Sequence, residues 1–156
     1  MPYVEPSARK RQSILDDTRS IAIVGASSNP SRASNFVITY LSSSGCDYDL
    51  YPVNPRETEI NGHTCYPSLD ALPVVPDMVD VFRRAEDCPE IAEQAVAVGA
   101  KTLWLQLGIV SDEAAEIALA AGLDVVMDRC TKIEHARFAG GLHLAGFDTG
   151  VISSRR

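Results

Sequence analysis

The sequence predicts an α/β protein: a doubly wound, mainly parallel five-stranded sheet with helices on both faces, Rossmann-like and in a single domain. Three observations predict it. Five short runs are almost wholly apolar, the pattern of strands buried on both faces. Amphipathic stretches at helical spacing separate these runs, and glycine or proline punctuates the joints. The 156 residues, 46% hydrophobic and 22% charged, supply one core and suit one domain.

The polar opening, with Arg9, Lys10, Arg11, Asp16 and Asp17, reads as an amphipathic helix over 1–20 and not as a signal peptide. Residues 1–19 are taken as a helical extension, 20–139 as the ligand-binding domain. Ile21, Ala22, Ile23 and Val24 form the first strand, which ends at Gly25. Residues 34–43 carry Phe36, Val37, Tyr40 and Leu41 at helical spacing, with Gly45 suited to the helix end. The second strand, 48–53, is stopped by Asn54 and Pro55. Residues 60–66 make an extended excursion turning at Asn61 and Gly62, and 68–72 a helical turn. The third strand spans 78–82. A helix over 89–98 has Pro89 in its first turn and Gly99 past its end. The fourth strand is 102–105. Ser111, Asp112 and Glu113 suit the start of a helix over 111–121, which Gly122 closes. The fifth strand is 125–127. Residues 140–156 form a glycine-rich tail in which 142–144 adds a short edge strand.

Lys and Arg number 14 against 21 Asp and Glu, a net charge of -7. That balance lacks the positive field of nucleic-acid or anionic-membrane binding. No apolar run reaches the ~18 residues of a membrane span. Cys46, Cys65, Cys88 and Cys130 show no C-x-x-C pairing, so they read as reduced thiols of a cytoplasmic protein. The three histidines lie scattered from them, which predicts no metal site.

Parallel strands align their C-terminal ends along one edge, where a ligand should sit. After the first strand, Gly25 supplies a tight turn, Ser27, Ser28 and Asn29 offer donors to phosphate oxygens, and Arg32 adds charge. The pattern G-x-G-x-x-G is incomplete, because Ser27 and Pro30 take the later glycine positions. The plainer reading is a polar strand-to-helix turn. After the second strand come Asn54, Pro55 and Arg56, with no acid at the tip for an NAD ribose. Arg56 suits a phosphate on the adenosine ribose, whether the 2′-phosphate of NADP or the 3′-phosphate of coenzyme A. The alternative is a solvated loop arginine. Phe82 can wall off a purine and Arg83 can reach a phosphate; core and solvent are their plainer places. Gln106 and Gly108 end the fourth strand, either at the ligand or in a simple turn, while Trp104 reads as core. Cys130, flanked by Arg129 and Lys132, is a candidate nucleophile of depressed pKa with His135 as base. Against that, free cysteine is among the most buried residue types and no acid is clearly placed to orient His135, so a buried thiol is the favoured reading.

Five ordered blocks resemble the small bacterial CoA-binding proteins, a Rossmann-like family related to the CoA-binding part of succinyl-CoA synthetase. The blocks are 24–27 (Val-Gly-Ala-Ser), 51–56 (Tyr-Pro-Val-Asn-Pro-Arg), 77–83 (Asp-Met-Val-Asp-Val-Phe-Arg), 103–108 (Leu-Trp-Leu-Gln-Leu-Gly) and 126–130 (Val-Met-Asp-Arg-Cys). The resemblance runs from about Ile21 to Phe138. It implies coenzyme A or an acyl-CoA as ligand. It also implies that Gly25, Ala26 and Ser27, with Asn54, Pro55 and Arg56, line the nucleotide end, and that Val81, Phe82 and Arg83 border the adenine or pyrophosphate. Two classes of function stand against each other. One is a binding, carrier or regulatory module, alone, as a homodimer or beside an acyl-CoA enzyme. The other is an enzyme, either an NADP-linked oxidoreductase or a CoA-thioester enzyme using Cys130. The missing glycines, and the lack of a Tyr-x-x-x-Lys pair or substrate domain, weigh against the oxidoreductase. The binding module is the expectation.

Overall fold

The first apolar run is β1 (Ser20–Val24), and β2 (Asp49–Val53) pairs with it in parallel, Ile21 opposite Leu50. A two-stranded hairpin, β3 (Glu59–Ile60) and β4 (His63–Thr64), turns at Asn61 and Gly62 with φ of 51° and 84°. Two consecutive positive φ values fit a tight hairpin turn, which explains the Asn-Gly pair. On the other side of β1 lie β5 (Met78–Val81), β6 (Thr102–Leu105) and β7 (Asp124–Val126), all parallel. The sheet order is β2-β1-β5-β6-β7. This computed structural model describes residues 2–43 and 45–139; the expected edge strand 142–144 and the tail lie outside the described residues.

Side chains alternate across each strand, and both faces are apolar. Ala22, Val24, Val79, Val81, Leu103, Leu105 and Val125 face a core closed by α3 (Cys88–Val98) and α4 (Asp112–Ala120). Ile21, Ile23, Met78, Trp104 and Val126 face the opposite core, with α1 (Ala8–Asp17), α2 (Ala33–Leu41) and α5 (Thr131–Ala139) on that side. Trp104 is fully buried there, its indole N–H donating to the Arg129 carbonyl at 2.8 Å. Caps set the helix limits. Ser111 Oγ accepts the Ala114 N–H at 3.1 Å, and Gly99 ends α3 in the left-handed region at φ 90°; a residue with a Cβ is strained there.

The opening residues depart from expectation. The helix begins at Ala8, where Ser7 Oγ accepts the Lys10 N–H at 3.1 Å. Before it, residues 2–7 run as a non-helical arm to the exit of β7, because Pro2 and Pro6 disfavour a helical path. The Tyr3 hydroxyl accepts the Met127 N–H at 3.2 Å, and the Glu5 carboxylate meets Arg129 at 2.7 Å. Arg11, one of the polar residues of the predicted amphipathic helix, is 5% exposed. Its Nε donates to the buried carboxylate of Glu134 at 2.6 Å and its Nη1 to the Pro6 carbonyl at 2.6 Å. This pair ties α1 to α5.

Candidate functional site

Strand order reverses around β1, which puts a crevice between the loops that leave β1 and β5. Such switch points are where open α/β sheets bind ligands. A cleft of about 850 Å³ occupies this place. Gly25, Ala26, Ser27, Arg32, Asn54, Pro55, Arg56, Phe82 and Arg83 all line it.

Gly25 brings the two loops together. Its φ is +86°, and a Cβ there would stand 2.9 Å from Arg83 Cδ and 3.1 Å from the Phe82 carbonyl carbon and oxygen. Only glycine accepts both the left-handed backbone and that approach. Asn54 clamps the next loop over: its Nδ2 donates to the Ala26 carbonyl and its Oδ1 accepts the Arg56 N–H, each at 2.8 Å. Both ends of the Asn54 amide are thus engaged in holding the cleft wall.

The turn after Gly25 is wired internally. Ser27 N–H donates to Ser34 Oγ, Asn29 N–H to Ser27 Oγ and Ser31 N–H to Asn29 Oδ1, each at 3.0 Å. Ser28 N–H donates to the Glu57 carboxylate at 3.1 Å. With those amides engaged, the start of α2 is the candidate seat for an anion. Arg32 occupies its cap position and makes no side-chain cap, while Ala33 and Ser34 in its first turn line the cleft. Free N–H groups and the positive end of the helix dipole favour an anion there. Arg32, Arg56 and Arg83 bring three cations to the same space in a protein of net charge -7. Arg83 pairs with Asp87 at 3.2 Å, and Arg84 reaches the same oxygen at 3.3 Å. The Arg84 hydrogen bond, with the charges of both arginines, holds the Asp87 carboxyl below the usual range.

Part of the cleft wall has no counterpart in the sequence reading. Asp87, Glu90, Ile91 and Gln94 come from the start of α3 and its two turns, and Ser68 and Leu69 from the loop after β4. That loop reaches the site because Tyr66 N–H donates to the Pro52 carbonyl at 2.9 Å, carrying the chain alongside β2. A helix that starts directly past a strand end flanks the crevice, a signal legible in the spacing of β5 and α3.

Five predicted residues do not line the cleft, and two of them, Ser28 and Asn29, stand exposed in the turn after β1. Val81 is fully buried in the core under α3. Gln106 turns into the opposite core, where its Nε2 donates to Asp80 Oδ1 at 2.5 Å and to Thr131 Oγ1 at 3.0 Å. Thr131 Oγ1 donates in turn to Asp80 Oδ2 at 3.0 Å. Complete burial pushes the Asp80 carboxyl up to about 7 despite both hydrogen bonds. Gly108 stands at φ 84°, its N–H donating to the Asp128 carboxylate at 2.7 Å, so it ties the β6 and β7 exits together.

Cys130 is half-buried and lacks the depressed pKa that a nucleophile needs. Burial pushes its thiol up, outweighing the N–H groups of Ile133 and Lys132 that would favour a thiolate. His135 turns to other partners: its Nδ1 lies 2.9 Å from the Tyr40 hydroxyl, and its ring packs edgewise on Tyr40 and Tyr48. Burial depresses its pKa, partly offset by the Asp16 charge, which favours the neutral imidazole. Among the described residues, no three His, Cys, Asp or Glu side chains converge to hold a metal ion.

Known proteins resemble this chain in sequence and fold. Residues 19–136 match the family model described as CoA binding domain. The uncharacterized protein YneT of Bacillus subtilis is 37% identical over 131 residues, covering 84% of this chain and 96% of YneT. A solved structure of a hypothetical protein from Pyrococcus horikoshii superposes with a TM-score of 0.82 at 39% identity, over 90% of this chain and all of that one. The alpha subunit of acetate–CoA ligase (ADP-forming) I from Pyrococcus furiosus is 30% identical over 93 residues, which is 57% of this chain and 20% of the subunit. The same domain thus recurs as a small part of much longer acyl-CoA enzymes. With its family model matched over most of its length and two small relatives covered almost end to end, this chain belongs to the CoA binding domain family.

Proposed function

We propose that the protein binds coenzyme A or an acyl-CoA in the cleft at the C-terminal edge of the sheet and acts as a binding, carrier or regulatory module. One observation carries the reading: in a CoA binding domain, the uncapped start of α2 and the side chains of Arg32, Arg56 and Arg83 meet in a single cleft. The start of α2 suits the pyrophosphate. Arg56, exposed at the tip of β2, suits the 3′-phosphate, and Phe82 offers an aromatic wall to the adenine. The volume of about 850 Å³ falls within the usual ~300–1,000 Å³ of small-molecule sites. Four free cysteines accord with a cytoplasmic location. The module's partner in this reading is an acyl-CoA enzyme or a second copy of itself.

The test is a double cycle by calorimetry. Arg56→Ala should cost coenzyme A about 1.5–3 kcal/mol, the range for hydrogen bonds to charged groups. Dephospho-coenzyme A, which lacks the 3′-phosphate, should bind wild type and variant alike, so the coupling isolates the contact. A coupling near zero removes Arg56 from the ribose phosphate. Tighter binding of NADP than of coenzyme A would overturn the ligand.

A further inference from the structure

Beside the cleft, next to its lining residues Ser27 and Arg56, a carboxylate already occupies a backbone amide. Three amides of the turn between β1 and α2 bond to neutral oxygens of that turn and of Ser34. Ser28 differs, because its N–H donates to the carboxylate of Glu57, which comes from the exit loop of β2. Glu57 follows directly on Arg56, and its own N–H reaches the Asn54 carbonyl at 3.4 Å. Asn54 in turn clamps the Ala26 carbonyl, so the β2 loop presents Glu57 to the turn from a fixed base. A carboxylate on a backbone amide imitates a phosphate oxygen on the same donor. Ser28 is exposed and Glu57 only half-buried, and an exposed charged contact of this kind adds little to the fold. Its larger effect falls on anions approaching the cleft.

We infer that Glu57 is a selectivity residue that competes with the ligand's phosphates: it occupies the Ser28 amide in the empty protein and yields it when a phosphate oxygen arrives. The inference rests on the phosphate-bearing ligand proposed above. Competition of this kind lowers affinity for small free anions, which have little else to hold. A ligand that also fills the cleft still binds.

Glu57→Gln keeps an oxygen acceptor for Ser28 N–H and removes the charge. Inorganic pyrophosphate and coenzyme A are titrated into wild type, Glu57→Gln and Glu57→Ala at low and at physiological salt, with neutral pantetheine as control. Both variants should bind pyrophosphate and coenzyme A roughly threefold to fivefold tighter at low salt, the size of an exposed charge effect. The gain should shrink as salt rises, and pantetheine should not respond. In the ligand-free protein the Ser28 amide should exchange faster in Glu57→Ala than in wild type. Unchanged or weaker binding of pyrophosphate by both variants overturns the inference and makes Glu57 a scaffold of the loop. Should pyrophosphate prefer the variants while coenzyme A binds none of the three proteins, the inference stands and the ligand reading fails. Absence of binding by either anion defeats both.

Discussion

Replacing Gly25 by alanine separates two demands that coincide at one residue. The first is backbone conformation: at φ +86° a side-chain-bearing residue loses about 1–2 kcal/mol. The second is proximity. The new Cβ would meet Arg83 Cδ at 2.9 Å, which a flexible side chain can relieve, and Phe82 backbone atoms at 3.1 Å, which only a shift of the β5 exit can relieve. Overpacking of that kind costs about 1–3 kcal/mol. Gly122 supplies the control, since it has φ +89° and nothing within 4 Å of its would-be Cβ. Gly122→Ala should show the first cost alone. Gly25→Ala should show both, lowering the melting temperature by about 4–20 °C at ~2–4 °C per kcal/mol for a chain of this size. Urea unfolding of the two variants beside wild type measures the difference directly. Losses that agree within about 0.5 kcal/mol, the margin for unrelated surface changes, would refute the close approach of the β1 and β5 loops.

The buried carboxyl of Asp80 makes stability depend on pH. The fold keeps its proton up to about 7, whereas the reference value is 3.8. Its contribution is therefore full below the lower value and is lost as pH rises through the upper one, at up to ~1.4 kcal/mol per pH unit. Asp80→Asn, whose amide offers the donor and acceptor of the protonated acid, should flatten that slope and exceed wild type at pH 8; urea midpoints that run parallel across this window count against it. Arg11→Met leaves the buried Glu134 carboxylate only the Arg129 guanidinium at 3.7 Å, so it should cost up to about 3–5 kcal/mol, and adding Glu134→Leu should restore most of it. Thermal unfolding of the four proteins of that cycle decides, and a double variant as weak as the sum of the singles would refute the pairing.

The strands were legible because burial on both faces leaves continuous apolar runs such as Ile21 to Val24, which helices seldom need. The exits of β1, β2 and β5 were legible for a topological reason: parallel strands must deliver Gly25, Asn54 and Phe82 to one edge. What the sequence hid depends on partners far along the chain. Arg11 looks like any solvated helix arginine until Glu134 is known to lie beside it. Gln106 stands at a strand end as a ligand residue should, yet it follows Leu105 on the opposite side and so turns down to Asp80. Flanking cations around Cys130 suggest a thiolate in sequence, but exposure decides whether they act, and burial outweighs them. Glu57, one residue past the predicted Arg56, gains its meaning only from the neighbouring turn.

The bond between Arg11 and Glu134 spans 123 positions of sequence, and this sets a timetable for synthesis. At ~5–20 residues per second a ribosome needs about 6–25 s to travel from one partner to the other. Through that interval α1 exists with its guanidinium unmatched. The parallel strands β1, β2 and β5 can pair before then, and β7 receives the Tyr3 and Glu5 arm only once Met127 and Arg129 have emerged. The first helix to be made is thus among the last to dock. Ile14 and Leu15, buried in the finished protein beside residues of β1, β2 and α2, gain their last cover only when α5 arrives.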